Sequence, residues 1–196
     1  MSTFFDKVPR KFQDVSVIDQ KIKAAEFLEA SSGLVQLFDI LGSTAFSPVK
    51  SDMNGNISKI RKFLDENTGV VTLQDMVELE SKSKSNTATE ALMWLKRALE
   101  FTALSIRYNV DNKSEELSVS FNKGYESTLK KHHGMLVRPI FYVALKACPN
   151  RADFYKKLGD DLNTVMEQLE AWLKALEEIL KILIEFYIQI GQEKAK

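Results

Sequence analysis

Between residues 165 and 190 an apolar side chain recurs at alternating steps of four and three: Val165, Leu169, Trp172, Leu176, Ile179, Leu183, Phe186 and Ile190. Only an α-helix brings positions at that spacing onto one line. A stripe this regular is also the seam of a coiled coil. Here, however, Leu173, Leu180, Ile182, Ile184 and Tyr187 widen the apolar surface well beyond a two-residue seam. A helix that is apolar around much of its circumference is buried on more than one side. The segment therefore predicts the central helix of a bundle, and a monomer rather than a zipper dimer.

The rest of the chain agrees with an all-α fold. Eight glycines and four prolines in 196 residues leave little punctuation for many short strands. A first helix is expected from about Gln20 to Leu41, stopped by Gly42. Ser47 followed by Pro48 reads as an N-cap and a proline at the first helical position. That second helix fades at "DENTG", Thr72 is placed to cap a short third one, and "SKSKSN" is a polar connector. A long helix is expected from Thr87 to Tyr108 and another from about Leu117 to Lys131. "HHG" then interrupts the pattern, and Pro139 marks a further boundary. No internal repeat, low-complexity tail or linker divides the chain, so one domain over residues 1–196 is expected.

Composition narrows the function classes. Lys plus Arg equals Asp plus Glu at 27 each, so no global field draws the chain to nucleic acid, and no nucleic-acid partner is expected. The single cysteine, Cys148, excludes an internal disulfide and a multi-cysteine zinc site, and it fits a reducing, cytoplasmic compartment. "MSTFFDKVPRKF" carries charges where a signal peptide needs an apolar run. No apolar stretch approaches the roughly 20 residues needed to span a bilayer. Glycine-rich phosphate loops and chelating histidine spacings are missing, so neither cofactor nor metal is expected. The only histidines, His132 and His133, are adjacent and on a helix would point about 100° apart.

The stretch "SDMNGNISKI" carries the most specific pattern. Met53, Ile57, Ile60 and Leu64 form one helical stripe, while Asp52, Asn56 and Lys59 form a second about 100° round. Asp accepts hydrogen bonds, Lys donates them and Asn does both, so the row suits a ligand displaying several hydroxyls, namely a sugar. Sugars also present a C–H face that packs on a large aromatic ring, for which Trp94 is the candidate. On the residues alone the row also reads as a solvated face, and Trp94, in line with Ala98, Phe101 and Ser105, also reads as core. A hydrolytic site built on Asp52 and His133 is a further alternative, although nothing in their spacing requires it.

"SPVKSDMNGNISKI", "ALMWLKRALEF", "LKKHHG" and "ACPNRADF", in this order, resemble the glycolipid transfer protein family over about residues 27–187. The resemblance implies a single-domain, two-layer helical sandwich with an internal apolar lipid pocket. It implies non-enzymatic binding and intermembrane transfer of one glycosphingolipid, such as glucosylceramide or galactosylceramide. Matched position by position, Asp52, Asn56 and Lys59 would bond the sugar and the ceramide amide, Trp94 would support the sugar ring, and His133 would bond the amide carbonyl. Phe38, Phe101, Leu129, Leu136, Phe141, Leu145 and Phe154 are candidates to line the chain pocket. Phe46, Val49 and Met135 are candidates for transient contact with a membrane surface, where a membrane-resident protein is a conceivable recruiter. A related branch carries ceramide-1-phosphate and resembles this one with arginine in place of the tryptophan, so Trp94 favours a neutral headgroup. Phosphosphingolipid transfer and a helical protein-interaction or lipid-sensing module are the alternatives. Glu90 and Met135 depart from the family pattern and bear on selectivity and membrane affinity.

Overall fold

In the computed structural model, which describes residues 2–42 and 44–193, eight α-helices build a two-layer sandwich. They are α1 (Ala24–Ile40), α2 (Ser47–Glu66), α3 (Leu73–Glu80), α4 (Thr87–Asp111), α5 (Leu117–Ser127), α6 (Val137–Lys146), α7 (Arg151–Leu158) and α8 (Leu162–Gln189). The helix α4 is the hub, packing against α2, α3, α5 and α8. Its approach to α5 is closest at Gly124, where an added Cβ would stand 2.0 Å from Ser105 Oγ and 3.1 Å from Ser105 Cα.

The helix α8 buries Val165, Leu169, Trp172, Leu173, Leu176, Ile179, Leu180, Leu183 and Tyr187, so the wide stripe does face a core. Its last two stripe positions lie at the margin: Phe186 is half-buried and packs against the core, and Ile190 is exposed. What α8 covers was not legible from its own pattern. Two 3-10 turns, Phe4–Asp6 and Phe12–Asp14, lay Phe5 and Phe12 on Trp172 at ring distances of 5.8 and 5.2 Å.

Several boundaries shift for identifiable reasons. Residues 20–23 are not helical: β1 (Val17–Ile18) and β2 (Lys21–Ile22) form a small antiparallel hairpin. Its turn holds Asp19 and Gln20 at φ of 50° and 62° without a glycine to announce it. Gly42, at φ 74°, terminates α1 as expected. The 3-10 turn Thr44–Phe46 runs directly into α2, so Ser47 lies inside the helix rather than capping it, and Pro48 sits in the first turn. Thr72 caps α3, its hydroxyl accepting from the Asp75 N–H at 3.1 Å. The helix α4 extends three residues past Tyr108, and α5 stops at Ser127 before a 3-10 turn, Leu129–His132. Pro139 lies in the first turn of α6 rather than at a boundary, where its missing N–H costs no helical bond.

Candidate functional site

The 4-3 spacing of Asp52, Asn56 and Lys59 keeps all three on the side of α2 that faces α4 and the 129–134 segment. With Trp94 and His133 they line one cleft of about 570 Å³, within the usual size of a ligand site. All five residues singled out for a headgroup thus share a single wall-to-wall space. Its floor is apolar, from Ala98, Leu129 and Phe141, and Thr87, Glu90 and His132 complete its polar rim.

Asn56 is buried and donates from Nδ2 to Asp52 Oδ2 at 3.2 Å, which aims the carboxylate into the cleft. Burial against the wall raises the Asp52 pKa above its ordinary value, and the nearby Lys59 ammonium opposes that rise. Trp94 is half-buried, unlike its helical neighbours Ala98, Phe101 and Ser105, so it is a wall and not core. The ring lies nearly parallel to that of His133, 20° apart with centroids separated by 6.4 Å.

His133 sits just after the 3-10 turn, with its Nδ1 3.2 Å from the Tyr125 hydroxyl and its ring 4.6 Å from that of Phe141. Arg138 ties the segment down, donating from Nε to the His133 carbonyl at 2.9 Å and from Nη2 to that of Lys130 at 3.3 Å. Burial, and then the Arg138 charge, lower the His133 pKa, so the ring is neutral near pH 7. With Nδ1 engaged by the Tyr125 hydroxyl, Nε2 is the ring nitrogen left to meet a ligand, as donor or acceptor according to the tautomer. Tyr125 and Arg138 escaped the sequence reading because both act through His133 from separate helices, α5 and α6, without lining the cleft themselves. His132, to which the sequence assigned no role, is also a lining residue.

The chain-pocket candidates divide. Leu129 and Phe141 line the cleft, while Phe38, Phe101 and Phe154 are buried in the continuous core beyond it. Leu145 is buried against a separate surface hollow between α4, α5 and α6. Leu136 is corrected outright: it is 88% exposed, because the chain turns outward after Gly134 and places it just ahead of α6. Two docking candidates are also corrected. The 3-10 turn before α2 folds Phe46 inward to 1% exposure against Phe38, and Val49 is buried at the cleft edge. Met135, at 86% exposure, stands on the surface. Leu136, Val137, Ile140 and Val143 extend it into one exposed apolar face along α6. Val137 and Ile140 belong to both this face and the cleft lining, so the two are continuous.

Cys148 is half-buried and burial pushes its thiol pKa up to about 12, which leaves it unreactive. Among the described residues no group of three or more His, Cys, Asp or Glu side chains has metal-binding geometry, and no helix is long and apolar enough to cross a membrane.

A mixed polar and aromatic cleft opening onto an apolar surface, in a two-layer helical sandwich, defines the class of protein: a helical binder of amphipathic ligands. The chain belongs to the glycolipid transfer protein (GLTP) family, whose profile matches residues 22–160. A glycolipid transfer protein of Aureobasidium melanogenum is 54% identical over 185 residues, covering 94% of this chain and 92% of that one. One from Danio rerio is 37% identical over 86% of this chain and 83% of its own length. The human pleckstrin homology domain-containing family A member 8 is 35% identical over 97% of this chain, which spans only 40% of that longer protein. Among solved structures, the fungal glycolipid transfer protein HET-C2 superposes with a TM-score of 0.91 at 48% identity, over 94% of this chain and 96% of that one. A mouse ceramide-1-phosphate transfer protein, at 19% identity and a TM-score of 0.86, shares the fold.

Proposed function

We propose that this protein binds one glycosphingolipid and carries it between membranes without chemical change. One observation supports the reading above the rest: Asp52, Asn56, Lys59, Trp94 and His133 line a single cleft that is continuous with an exposed apolar face. In this reading Asp52 and Lys59 hydrogen-bond sugar hydroxyls and Trp94 packs on the C–H face of the ring. Asn56 and His133 meet the ceramide amide, and the hydrocarbon chains pass over Leu129 and Phe141 towards the interior. The names of the similar proteins, glycolipid transfer protein among them, point the same way.

The α6 face is the membrane-contact surface in this scheme. Met135, Leu136, Val137, Ile140 and Val143 offer apolar area without a net charge on the chain to hold it at an anionic leaflet. Weak, reversible docking follows, which suits a carrier that must leave the bilayer again. We take the chain to work as a cytoplasmic monomer.

Native mass spectrometry after incubation with vesicles containing glucosylceramide tests the reading. The expected result is one lipid per chain, lost in Asp52→Val because a hydrogen bond involving a charged group is worth about 1.5–3 kcal/mol. Undiminished lipid loading of Asp52→Val would remove the headgroup from this cleft.

A further inference from the structure

Beside the Trp94 wall lies a second hollow, lined by Arg97, Lys131, Glu193 and Ile188 among others, and His132 lines both it and the headgroup cleft. Two successive cations of α4 meet a carboxylate there, 97 residues further along the chain. The Lys96 side chain is 0% exposed, and its Nζ lies 2.5 Å from Glu193 Oε2, 3.9 Å from Glu100 and 5.8 Å from the Tyr187 ring centroid. The other Glu193 oxygen takes Arg97 Nε at 3.3 Å. Arg97 in turn sits over the Trp94 ring at 5.0 Å.

Glu193 is not loosely placed. Gly191, at φ 72°, ends the run of α8, and the N–H groups of Gln192 and Glu193 both donate to the Tyr187 carbonyl at 2.9 and 3.1 Å. The Tyr187 hydroxyl donates to the Thr89 carbonyl at 2.8 Å, fixing that turn to the start of α4. The carboxylate is thus delivered to a defined point beside the platform tryptophan. Stability alone accounts for Lys96, since a buried cation needs a counter-charge. It does not account for the second oxygen holding Arg97, whose planar fork suits phosphate and lies 5.0 Å from the ring that walls the headgroup cleft.

We propose that Glu193 is a headgroup-selectivity latch: by holding Arg97 in the neighbouring hollow, it keeps a guanidinium out of the cleft and so disfavours ceramides with an anionic phosphate headgroup. Glu193 is a positioning residue, acting on the ligand through Arg97. The proposal deepens the glycolipid-carrier reading and rests on it. Releasing Arg97 supplies the charge-assisted contacts that a phosphate needs and a neutral sugar does not.

The test compares transfer of fluorescent glucosylceramide and fluorescent ceramide-1-phosphate from phosphatidylcholine vesicles by the full chain and by Glu193→Gln. The ratio of ceramide-1-phosphate to glucosylceramide transfer is expected to rise about tenfold or more, the factor that one charge-assisted contact confers. The gain should shrink with added salt and vanish when Arg97→Gln is combined with Glu193→Gln. Because Glu193→Gln weakens the compensation of buried Lys96, the same ratio is read in Lys96→Met/Glu193→Gln, with a thermal melt reporting its packing. An unchanged ratio in both variants, or a gain that survives Arg97→Gln, overturns the latch alone. Absence of glucosylceramide transfer by the unmodified chain overturns the carrier reading and the latch with it.

Discussion

Replacing Trp94 by alanine separates a binding wall from a core residue. A fully buried tryptophan would cost about 3–5 kcal/mol on truncation, much of it from the cavity left behind. Trp94 is half-buried and borders an open cleft, so truncation enlarges the cleft instead of creating a void. What is lost is the Arg97 cation–π contact, about 0.5–1 kcal/mol at a partly exposed site, and the near-parallel contact with His133. The expected stability loss is about 1–2 kcal/mol, or roughly 2–8 °C in melting temperature for a chain of this size. Binding should suffer more, because the ring is the wall of the Asp52 cleft on which a sugar face would pack. A loss of about 1.5–3 kcal/mol corresponds to roughly a 10- to 150-fold weaker complex. Vesicle-to-vesicle transfer of fluorescent glucosylceramide, with circular dichroism and a melt on the same sample, measures both quantities. Transfer within twofold of the unmodified chain, or a stability loss above about 4 kcal/mol, would refute the assignment of Trp94 as a wall.

Met135→Trp should strengthen sedimentation with phosphatidylcholine vesicles, since indole adds a polar handle to an apolar body at an exposed position, while headgroup preference stays unchanged. Gly55 lies within α2 with nothing within 4 Å of an added Cβ, so Gly55→Ala should stabilise by about 0.5–1 kcal/mol and raise the melting temperature by roughly 1–4 °C. Gly124→Ala should do the opposite, because its Cβ must push α5 away from Ser105 on α4; a melt unchanged within about 1 °C would contradict that close contact. His132 and His133 both have folded pKa values below the ordinary 6.5, set chiefly by burial. The unfolded chain therefore takes up protons first on acidification, and stability should fall as pH drops below about 6.5, levelling off once the folded histidines are also charged. Asp52, whose pKa is raised, acts in the opposite sense at lower pH: its contribution to stability grows as pH falls through its folded pKa towards 3.8. Urea titrations across that range check both signs, and a His133→Gln variant should flatten the upper part of the curve.

The cleft was more legible than its surroundings. Asp52, Asn56 and Lys59 lie on one helix, so period alone places them together; Trp94 was a candidate platform that also read as core, and His133 was assigned only through the resemblance carried by "LKKHHG". The hairpin at 17–22 was missed because Asp19 and Gln20 adopt positive φ without the usual glycine signal. Phe46 and Leu136 were misplaced because one 3-10 turn and one outward excursion after Gly134 decide which way each faces, and neither leaves a periodic trace. Glu193 was invisible for a different reason: its partners lie 96 and 97 residues away, and a charged residue in a polar tail carries no sign of the buried lysine that it meets. Arg107, which binds Glu170 and Glu177 on α8 across more than sixty positions, is another such long-range tie.

The chain has two tryptophans, and the fold gives them separate optical addresses. Trp172 is 1% exposed and packed against Phe5 and Phe12, so its emission reports whether the two N-terminal 3-10 turns stay docked on α8. Trp94 stands at the cleft wall beside a guanidinium and two imidazoles, so its emission responds to whatever fills that space. A Trp172→Phe variant leaves an intrinsic reporter of occupancy without any attached dye, and a Trp94→Phe variant leaves one for folding. Loading and unfolding can therefore be followed separately by intrinsic fluorescence in the two variants, the enclosed indole emitting to the blue of the half-exposed one.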